Sequence, residues 1–217
     1  MTRSSFDLKL KLLNQDLLNM VETVEKQIHD SIKALKDKDQ TLAEKVINDD
    51  DIVDKYEQDI EEKCIRMMAT EQPLASDLRR LFITTKIVTD LERMADHAVD
   101  IAKIALAIKN EEYIKELVHI PKMAEIVEKM IKGAVEVYVS RNVKLAYEIC
   151  EMDDEVDNIY DHVFVELLNI MSKDGTTINQ ASRFLFVCKY LERMGDHATN
   201  ICEQALYLET GNKLKLN

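Results

Sequence analysis

The sequence has 217 residues, of which 41 are acidic and 29 are basic, and its formal net charge is −12. Because no run of Lys or Arg stands out that could neutralise a series of phosphates, this balance disfavours direct binding to nucleic acid. No stretch approaches the roughly eighteen apolar residues of a membrane span, and the N-terminus lacks the uninterrupted apolar segment of a signal peptide. We therefore expect a cytoplasmic protein with no membrane insertion.

Glycine and proline are scarce, with four and two copies, whereas 46% of the residues are hydrophobic. Strands and tight turns normally need more of both residues, so the composition predicts an all-α fold. The four cysteines have no CxxC spacing, and we interpret them as buried free thiols in a reducing compartment. They are Cys64, Cys150, Cys188 and Cys202.

The first half of the chain has the pattern of three helices. Between residues 10 and 35 the apolar side chains recur at steps of three and four, as they do on one face of a helix. A second helix is predicted over residues 41–68, and it opens with a Thr-Leu-Ala-Glu capping box at residues 41–44. A third is predicted over residues 73–109, with Pro73 in its first turn.

The second half has the pattern of three more helices. Residues 109–120 are less regular, and a fourth helix is predicted over residues 121–140. A fifth runs to about Lys173, and a sixth begins near Thr177 and ends before Gly211. Several of these helices have about thirty residues, which corresponds to a length of roughly 45 Å.

An internal repeat relates the two halves. The octapeptide LERMADHA at residues 91–98 returns as LERMGDHA at residues 191–198. A pair of aspartates recurs upstream, with Asp153 in the second half matching Asp50 in the first. A repeated unit of three helices predicts two tandem three-helix bundles. The predicted bundles occupy residues 1–110 and residues 111–217.

Each predicted bundle carries acidic side chains on helix faces that are otherwise apolar. Residues four apart share one face of a helix, so an aspartate pair on one helix and a Glu-x-x-x-Asp pair on the next can converge. Four carboxylates about 5 Å apart repel one another by roughly 3 kcal/mol per pair, and a bound cation relieves this repulsion. Oxygen ligands favour hard or borderline divalent metals, and bridging carboxylates permit several ions. The candidate metal ligands are Asp50, Asp54, Glu92 and Asp96 in the first half and Asp153, Asp157, Glu192 and Asp196 in the second.

Two other interpretations of these acidic pairs stay open. The carboxylates could form solvated helix faces that pair with Arg93 and Arg193, or patches that bind Lys and Arg side chains of a partner. His97 and His197 are turned about 100° from the neighbouring aspartates, so we expect them to pack or to hydrogen-bond rather than to bind metal. The remaining histidines show no partner pattern in the sequence; they are His29, His119 and His162.

The strongest family signal lies in three stretches of the chain. They are QPLASDLRRL at residues 72–81, KIVTDLERMADHAVDIAK at residues 86–103 and KYLERMGDHATNICE at residues 189–203. Together with the aspartate pairs they resemble the PhoU family, bacterial regulators of phosphate uptake, and the likeness spans nearly the whole chain. The resemblance implies two three-helix bundles, a homodimer, and multinuclear clusters of divalent metal on the eight carboxylates named above. Iron or zinc is implied, with manganese or nickel as alternatives.

The second half departs from the first at two of the positions that the resemblance brings into view. Tyr160 stands where the first half has Glu57, and Asn200 stands where it has Asp100. The second site therefore has fewer anionic groups, and we expect it to hold fewer ions.

The resemblance also implies a negative regulator of phosphate uptake and of phosphate-starvation signalling. Such a protein couples the ATPase subunit of the phosphate ABC transporter to a sensor histidine kinase, and its effect on transcription is indirect. The alternative is a carboxylate-bridged dimetal enzyme on a helical bundle. At Glu92 and Glu192 the Glu-x-x-His motif of ferritin-like di-iron proteins is absent, because Ala95 and Gly195 stand three residues after these glutamates. We therefore expect a protein that is not an enzyme.

Overall fold

The computed structural model describes residues 3–211, and it consists of helices joined by short connections. No strand occurs in this part of the chain, so the predicted all-α class is confirmed. None of the helices in residues 3–211 is long and apolar enough to cross a membrane. The helices are α1 (Arg3–Asp37), α2 (Gln40–Asn48), α3 (Asp50–Thr70), α4 (Ala75–Ala107), α5 (His119–Ser140), α6 (Val143–Lys173) and α7 (Ile178–Thr210), with a 3-10 turn at Gly175–Thr177 before α7.

The helices form two tandem three-helix bundles, as predicted. The first contains α1, α4 and the arm made of α2 and α3, and the second contains α5, α6 and α7. The bundles pack side by side because α4 lies against α7 and α1 lies against α5. Their apolar stripes merge into one core that includes Leu17 of α1, Leu91 of α4, Met130 of α5 and Leu191 of α7. Burial of these stripes is the main force that holds the repeat together.

The second predicted helix is interrupted, which the apolar pattern does not show. The chain breaks at Asp49, so α2 and α3 are separate segments and Asp50 begins α3. Buried Gln27 of α1 donates a hydrogen bond from Nε2 to the carbonyl of Asp49 at 3.1 Å, which satisfies a group that the break leaves free. The predicted capping box is also wrong, because Asp39 is the N-cap and its side chain accepts from the amide of Leu42 at 3.0 Å.

Residues 108–118 connect the two bundles without a regular helix. Gln180 of α7 accepts from the amide of Ile114 at 2.7 Å and donates to the carbonyl of Glu112 at 3.0 Å. The hydroxyl of Tyr113 donates to the carbonyl of Leu35 in α1. Burial of this hydroxyl raises the pKa of Tyr113 to about 12. The connection is therefore fixed to both bundles.

The four cysteines are buried and free, as predicted from their apolar neighbours. Burial raises the pKa of Cys64 and of Cys188 to about 12, and that of Cys150 to about 11. Because a thiol reacts as its thiolate, these residues are packing groups rather than nucleophiles.

Candidate metal centres

The two copies of the repeated octapeptide lie on neighbouring helices in the middle of the molecule. One copy is in α4 and the other is in α7, and these two helices pack against each other. We call Asp50, Asp54, Glu92 and Asp96 the first cluster. We call Asp153, Asp157, Glu192 and Asp196 the second cluster.

The structure brings the four residues of the first cluster together between α3 and α4. Burial raises the pKa of Asp50, and the charges of Asp54 and Asp96 raise it further. Burial also raises the pKa of Glu92 to about 7, with Asp96 as the next cause and Arg93 acting in the opposite direction. The charges of neighbouring carboxylates therefore act on Asp50 and Glu92 in a partly buried region between α3 and α4.

A fifth carboxylate, Glu57 of α3, joins the first cluster. Its pKa is raised by burial, and its Oε1 accepts a hydrogen bond from the hydroxyl of Thr89 at 3.0 Å. Glu57 also raises the pKa of Glu92. From the sequence, Glu57 was identified only as the counterpart of Tyr160. Its position on the inward stripe of the predicted helix was a further signal that it belongs to this cluster.

One arginine supplies the nearest cation of the first cluster. The Nε of Arg93 lies 3.2 Å from Oε2 of Glu92, and its Nη1 donates to Oδ2 of Asp96 at 3.0 Å. Within the described chain, the Glu92 Oε2 atom is buried and accepts no hydrogen bond with acceptable geometry. The Arg93 guanidinium is close to this oxygen but does not donate a hydrogen bond to it. The oxygen can therefore still bind a further cation.

The second cluster is assembled between α6 and α7. Burial raises the pKa of Asp157, and the charges of Glu192 and Asp196 add to the shift. Lys189 neutralises part of this charge, because its Nζ donates to Oε1 of Glu192 at 2.6 Å and lies 2.5 Å from Oε2. The ammonium group of Lys189 therefore lies beside the Glu192 carboxylate, and a metal ion bound to Glu192 would have to lie close to it.

Asp153 lies deeper than the other members of the second cluster, with only 2% of its surface exposed. It packs against the backbone of Gly195, where an added Cβ would lie 2.6 Å from its Oδ1. Its charge contributes to the raised pKa of the Cys150 and Cys202 thiols. The glycine of the second octapeptide therefore makes room for this carboxylate.

The donor set and its surroundings fit a divalent cation best in the first cluster. Its donors are all oxygens, and burial together with the charges of neighbouring carboxylates raises the pKa values of Asp50 and Glu92. In residues 3–211 neither cluster brings three ligand atoms within 4.8 Å of one another. Each cluster has an arginine nearby, Arg93 in the first and Arg193 in the second. The second cluster fits less well, because Lys189 is an additional cation that pairs with Glu192.

One groove is lined by carboxylates from both clusters, which the repeat by itself does not reveal. The groove has a volume of about 570 Å³, and Asp50 and Asp96 line it from the first half while Asp196 lines it from the second. Three cations also line it, so its charge is mixed rather than purely acidic; they are Arg93, Lys103 and Arg193. The octapeptides therefore face a shared space instead of two isolated sites.

The two octapeptide histidines tie the bundles together beside this groove. The Nδ1 of His197 in α7 lies 2.8 Å from Oδ1 of Asp90 in α4, within hydrogen-bond distance. His97 of α4 stacks on the ring of Tyr190 in α7, with centroids 5.1 Å apart. Burial, followed by the charge of His197, lowers the pKa of His97. Packing and hydrogen bonding are the roles that the sequence favoured for this pair.

The other three histidines have partners that the sequence pattern did not indicate. His29 lies 3.5 Å from Glu128, and the rings of His119 and His162 meet edge to face with centroids 5.1 Å apart. The His162–Glu166 spacing of four residues was a usable signal, because it places both side chains on one face of α6.

The chain is an all-helical protein built from two tandem three-helix bundles. Each bundle carries one carboxylate cluster, and carboxylates of both clusters line a shared groove. The family model of the PhoU domain matches twice, at residues 17–105 and 120–205. The chain belongs to the PhoU family.

Proteins similar to this chain have been named in several bacteria. The Clostridium acetobutylicum "Phosphate-specific transport system accessory protein PhoU homolog" is 49% identical over the whole of both chains. A protein of the same name from Rhizobium meliloti is 40% identical over 96% of this chain and 88% of its own length. The crystal structure of PhoU from Pseudomonas aeruginosa aligns with a TM-score of 0.90 at 35% identity, covering 95% of this chain and 100% of that one.

Proposed function

We propose that this protein is a cytoplasmic accessory protein of a phosphate-specific transport system, and that it acts as a negative regulator of phosphate uptake and phosphate-starvation signalling. In this role a homodimer couples the ATPase subunit of the phosphate ABC transporter to a sensor histidine kinase. The observation that carries the proposal is the 49% identity, over both full lengths, to a protein named as an accessory of that transport system. Its long helices offer extended surfaces for two partners at once.

The proposal includes divalent metal ions in both clusters, iron or zinc first and manganese or nickel as alternatives. In the first cluster Asp50, Asp54, Glu92 and Asp96 would hold the ions, with Glu57 as a further donor. The corresponding residues of the second cluster are Asp153, Asp157, Glu192 and Asp196. A bound ion supplies positive charge that offsets the repulsion among the carboxylates and links two helices of each bundle.

Metal content is the direct test of the two clusters. The native protein and a Glu92→Gln, Glu192→Gln double variant are purified without chelator and without air, and elemental analysis counts the ions per chain. We expect stoichiometric metal in the native protein and its loss from the variant. A matched control is the Asp59→Asn, Glu136→Gln double variant, which removes the same charge at exposed positions outside both clusters. Equal absence of metal from all three proteins would overturn this part of the proposal.

Regulation is tested in cells that lack their own copy of the protein. The native chain should lower phosphate uptake and keep a phosphate-starvation reporter repressed, whereas the double cluster variant should do neither. Calorimetry with the purified ATPase subunit, and separately with the cytoplasmic part of the kinase, measures the two contacts. Binding that appears only after chelation would favour acidic patches that receive Lys and Arg of a partner. Metal-dependent turnover of phosphate esters that Glu92→Gln abolishes would favour an enzyme.

A further inference from the structure

A third set of metal-ligand side chains lies outside both clusters. It consists of His119, the first residue of α5, and of His162 and Glu166, which are one turn apart on α6. Within the part of the chain that the structure describes, these are the three His, Cys or acidic residues whose ligand atoms all lie within 4.8 Å of one another. Glu166 and His119 are half-buried and His162 is exposed.

The packing of α5 on α6 brings the three residues together. The two helices are joined by residues 141–142 and run antiparallel, so the start of α5 lies beside the second half of α6. An ion pair between Lys122 and Glu155, at 2.7 Å, bridges the same two helices along the chain. The ligand set therefore rests on two packed helices rather than on a loop.

We propose that His119, His162 and Glu166 bind a borderline divalent transition metal, and zinc in particular. Two imidazoles and one carboxylate are a donor set that zinc accepts, unlike the oxygen-only clusters. Zinc bonds of about 2.0–2.1 Å hold tetrahedral ligands about 3.3 Å apart, so side-chain rotation closes the remaining distance. Because His162 is exposed, water can reach the fourth coordination position of the zinc ion.

Lys115 controls access to this site. It lies in the connection between the bundles, and its ammonium group pairs with Oε2 of Glu166. A zinc ion must either take the other oxygen of Glu166 or displace the ammonium. Burial and the charge of Lys115 also lower the pKa of His119. Zinc would therefore act on the segment that joins the two bundles.

The test separates this site from the carboxylate clusters and does not depend on the proposed function. Full-length protein carrying Glu92→Gln and Glu192→Gln is freed of metal, and ZnCl₂ is titrated by calorimetry. We expect one zinc site in this background. Adding His119→Ala and His162→Ala should weaken its affinity at least about 100-fold, because both nitrogen ligands are lost. Coincident isotherms with and without the two substitutions would overturn the proposal.

Three further variants make the result specific. His29→Ala removes a histidine outside the site and should leave the isotherm unchanged. Glu166→Gln should weaken zinc binding, and circular dichroism checks that each variant is folded. Lys115→Met removes the competing ammonium and should tighten binding by about fivefold. Cu²⁺ bound in place of zinc should show imidazole nitrogen couplings in its electron paramagnetic resonance, and these should vanish with both histidines; their persistence would contradict the assignment.

Discussion

The first and second clusters occupy matching places in the repeat, yet their charges differ. In the first, Glu57 accepts a hydrogen bond from Thr89. In the second, Tyr160 replaces the glutamate and Lys189 replaces the threonine, and the Lys189 ammonium both pairs with Glu192 and lies 5.5 Å from the centre of the Tyr160 ring. One anion is lost and one cation is gained, so the second cluster attracts a metal ion less strongly. The carboxylates therefore occupy matching helix positions in the two halves, whereas the residues next to them differ.

The two clusters also differ in how deeply one aspartate is buried, and a single methyl group accounts for this difference. Ala95 of the first octapeptide corresponds to Gly195 of the second, and the Asp153 carboxylate is buried against that glycine. Its counterpart Asp50 is half-buried and lines the groove. A Cβ at position 195 would collide with the Asp153 carboxylate, so the smaller residue permits the deeper position of this aspartate.

The largest expected effect comes from exchanging the neighbours of the two clusters. Tyr160→Glu with Lys189→Thr gives the second cluster the charge of the first, and each unit of charge about 5 Å from a divalent ion changes its binding by up to roughly 7 kcal/mol at an effective dielectric near 20, and by less where water screens it. We expect Mn²⁺ to bind at least about 100-fold more tightly. Calorimetry measures this in a Glu92→Gln background, which silences the first cluster.

The converse exchange provides the counterpart. Glu57→Tyr with Thr89→Lys should weaken Mn²⁺ binding to the first cluster by a similar factor in a Glu192→Gln background. The control for the first exchange is Tyr147→Glu with Lys86→Thr, which makes the charge change of Tyr160→Glu with Lys189→Thr at exposed positions. If the first exchange and this control shift the affinity equally, long-range charge and not the local neighbours distinguishes the clusters.

The second prediction concerns the pH dependence of the metal-free protein. Burial raises the pKa of Glu92 from 4.5 to about 7, so the folded state binds more protons than the unfolded state between these values. Stability contributed by this group is therefore full below about pH 4.5 and is lost as the pH rises to about 7, by at most about 3 kcal/mol and by less where water screens the charge. Urea unfolding from pH 4.5 to 8 with chelator measures the loss.

Glu92→Gln should remove this contribution, so that the variant gains stability over the native protein as the pH rises. Asp50 and Glu57 have raised pKa values as well, and they should leave a smaller loss of the same sign in the variant. Glu136→Gln serves as the exposed control and should follow the native curve. An increase in the stability of the metal-free native protein relative to Glu92→Gln over this range would contradict the assignment.

The smallest expected effect tests the methyl group that distinguishes the two aspartates. Gly195→Ala gains about 1 kcal/mol of helix propensity but places its Cβ against the Asp153 carboxylate. We expect a net loss of about 1–2 kcal/mol in the free energy of unfolding. Ala95→Gly should cost about 1 kcal/mol through helix propensity alone. If Gly195→Ala alone stabilises the protein, the proposed collision is wrong.

Much of the fold followed from local patterns, whereas several features of the site did not. Apolar steps of three and four predicted the helices, and the repeated octapeptide predicted two bundles. The break at Asp49 could not be predicted in this way, because a one-residue interruption barely disturbs the apolar spacing and depends on Gln27 of another helix. The Lys189–Tyr160 contact and the His119–His162 contact were missed for a similar reason, since each joins two helices whose relative position is set by packing.

The sequence by itself determined that the chain is helical and that it is duplicated. These properties depend on periodicity within one helix, which neighbouring residues set. Only the tertiary structure decided that Asp96 and Asp196 open into the same groove, that Asp153 is buried against Gly195, and that two histidines meet Glu166. Contacts between distant segments depend on how the apolar faces pack, and side-chain volume at the interface determines that packing.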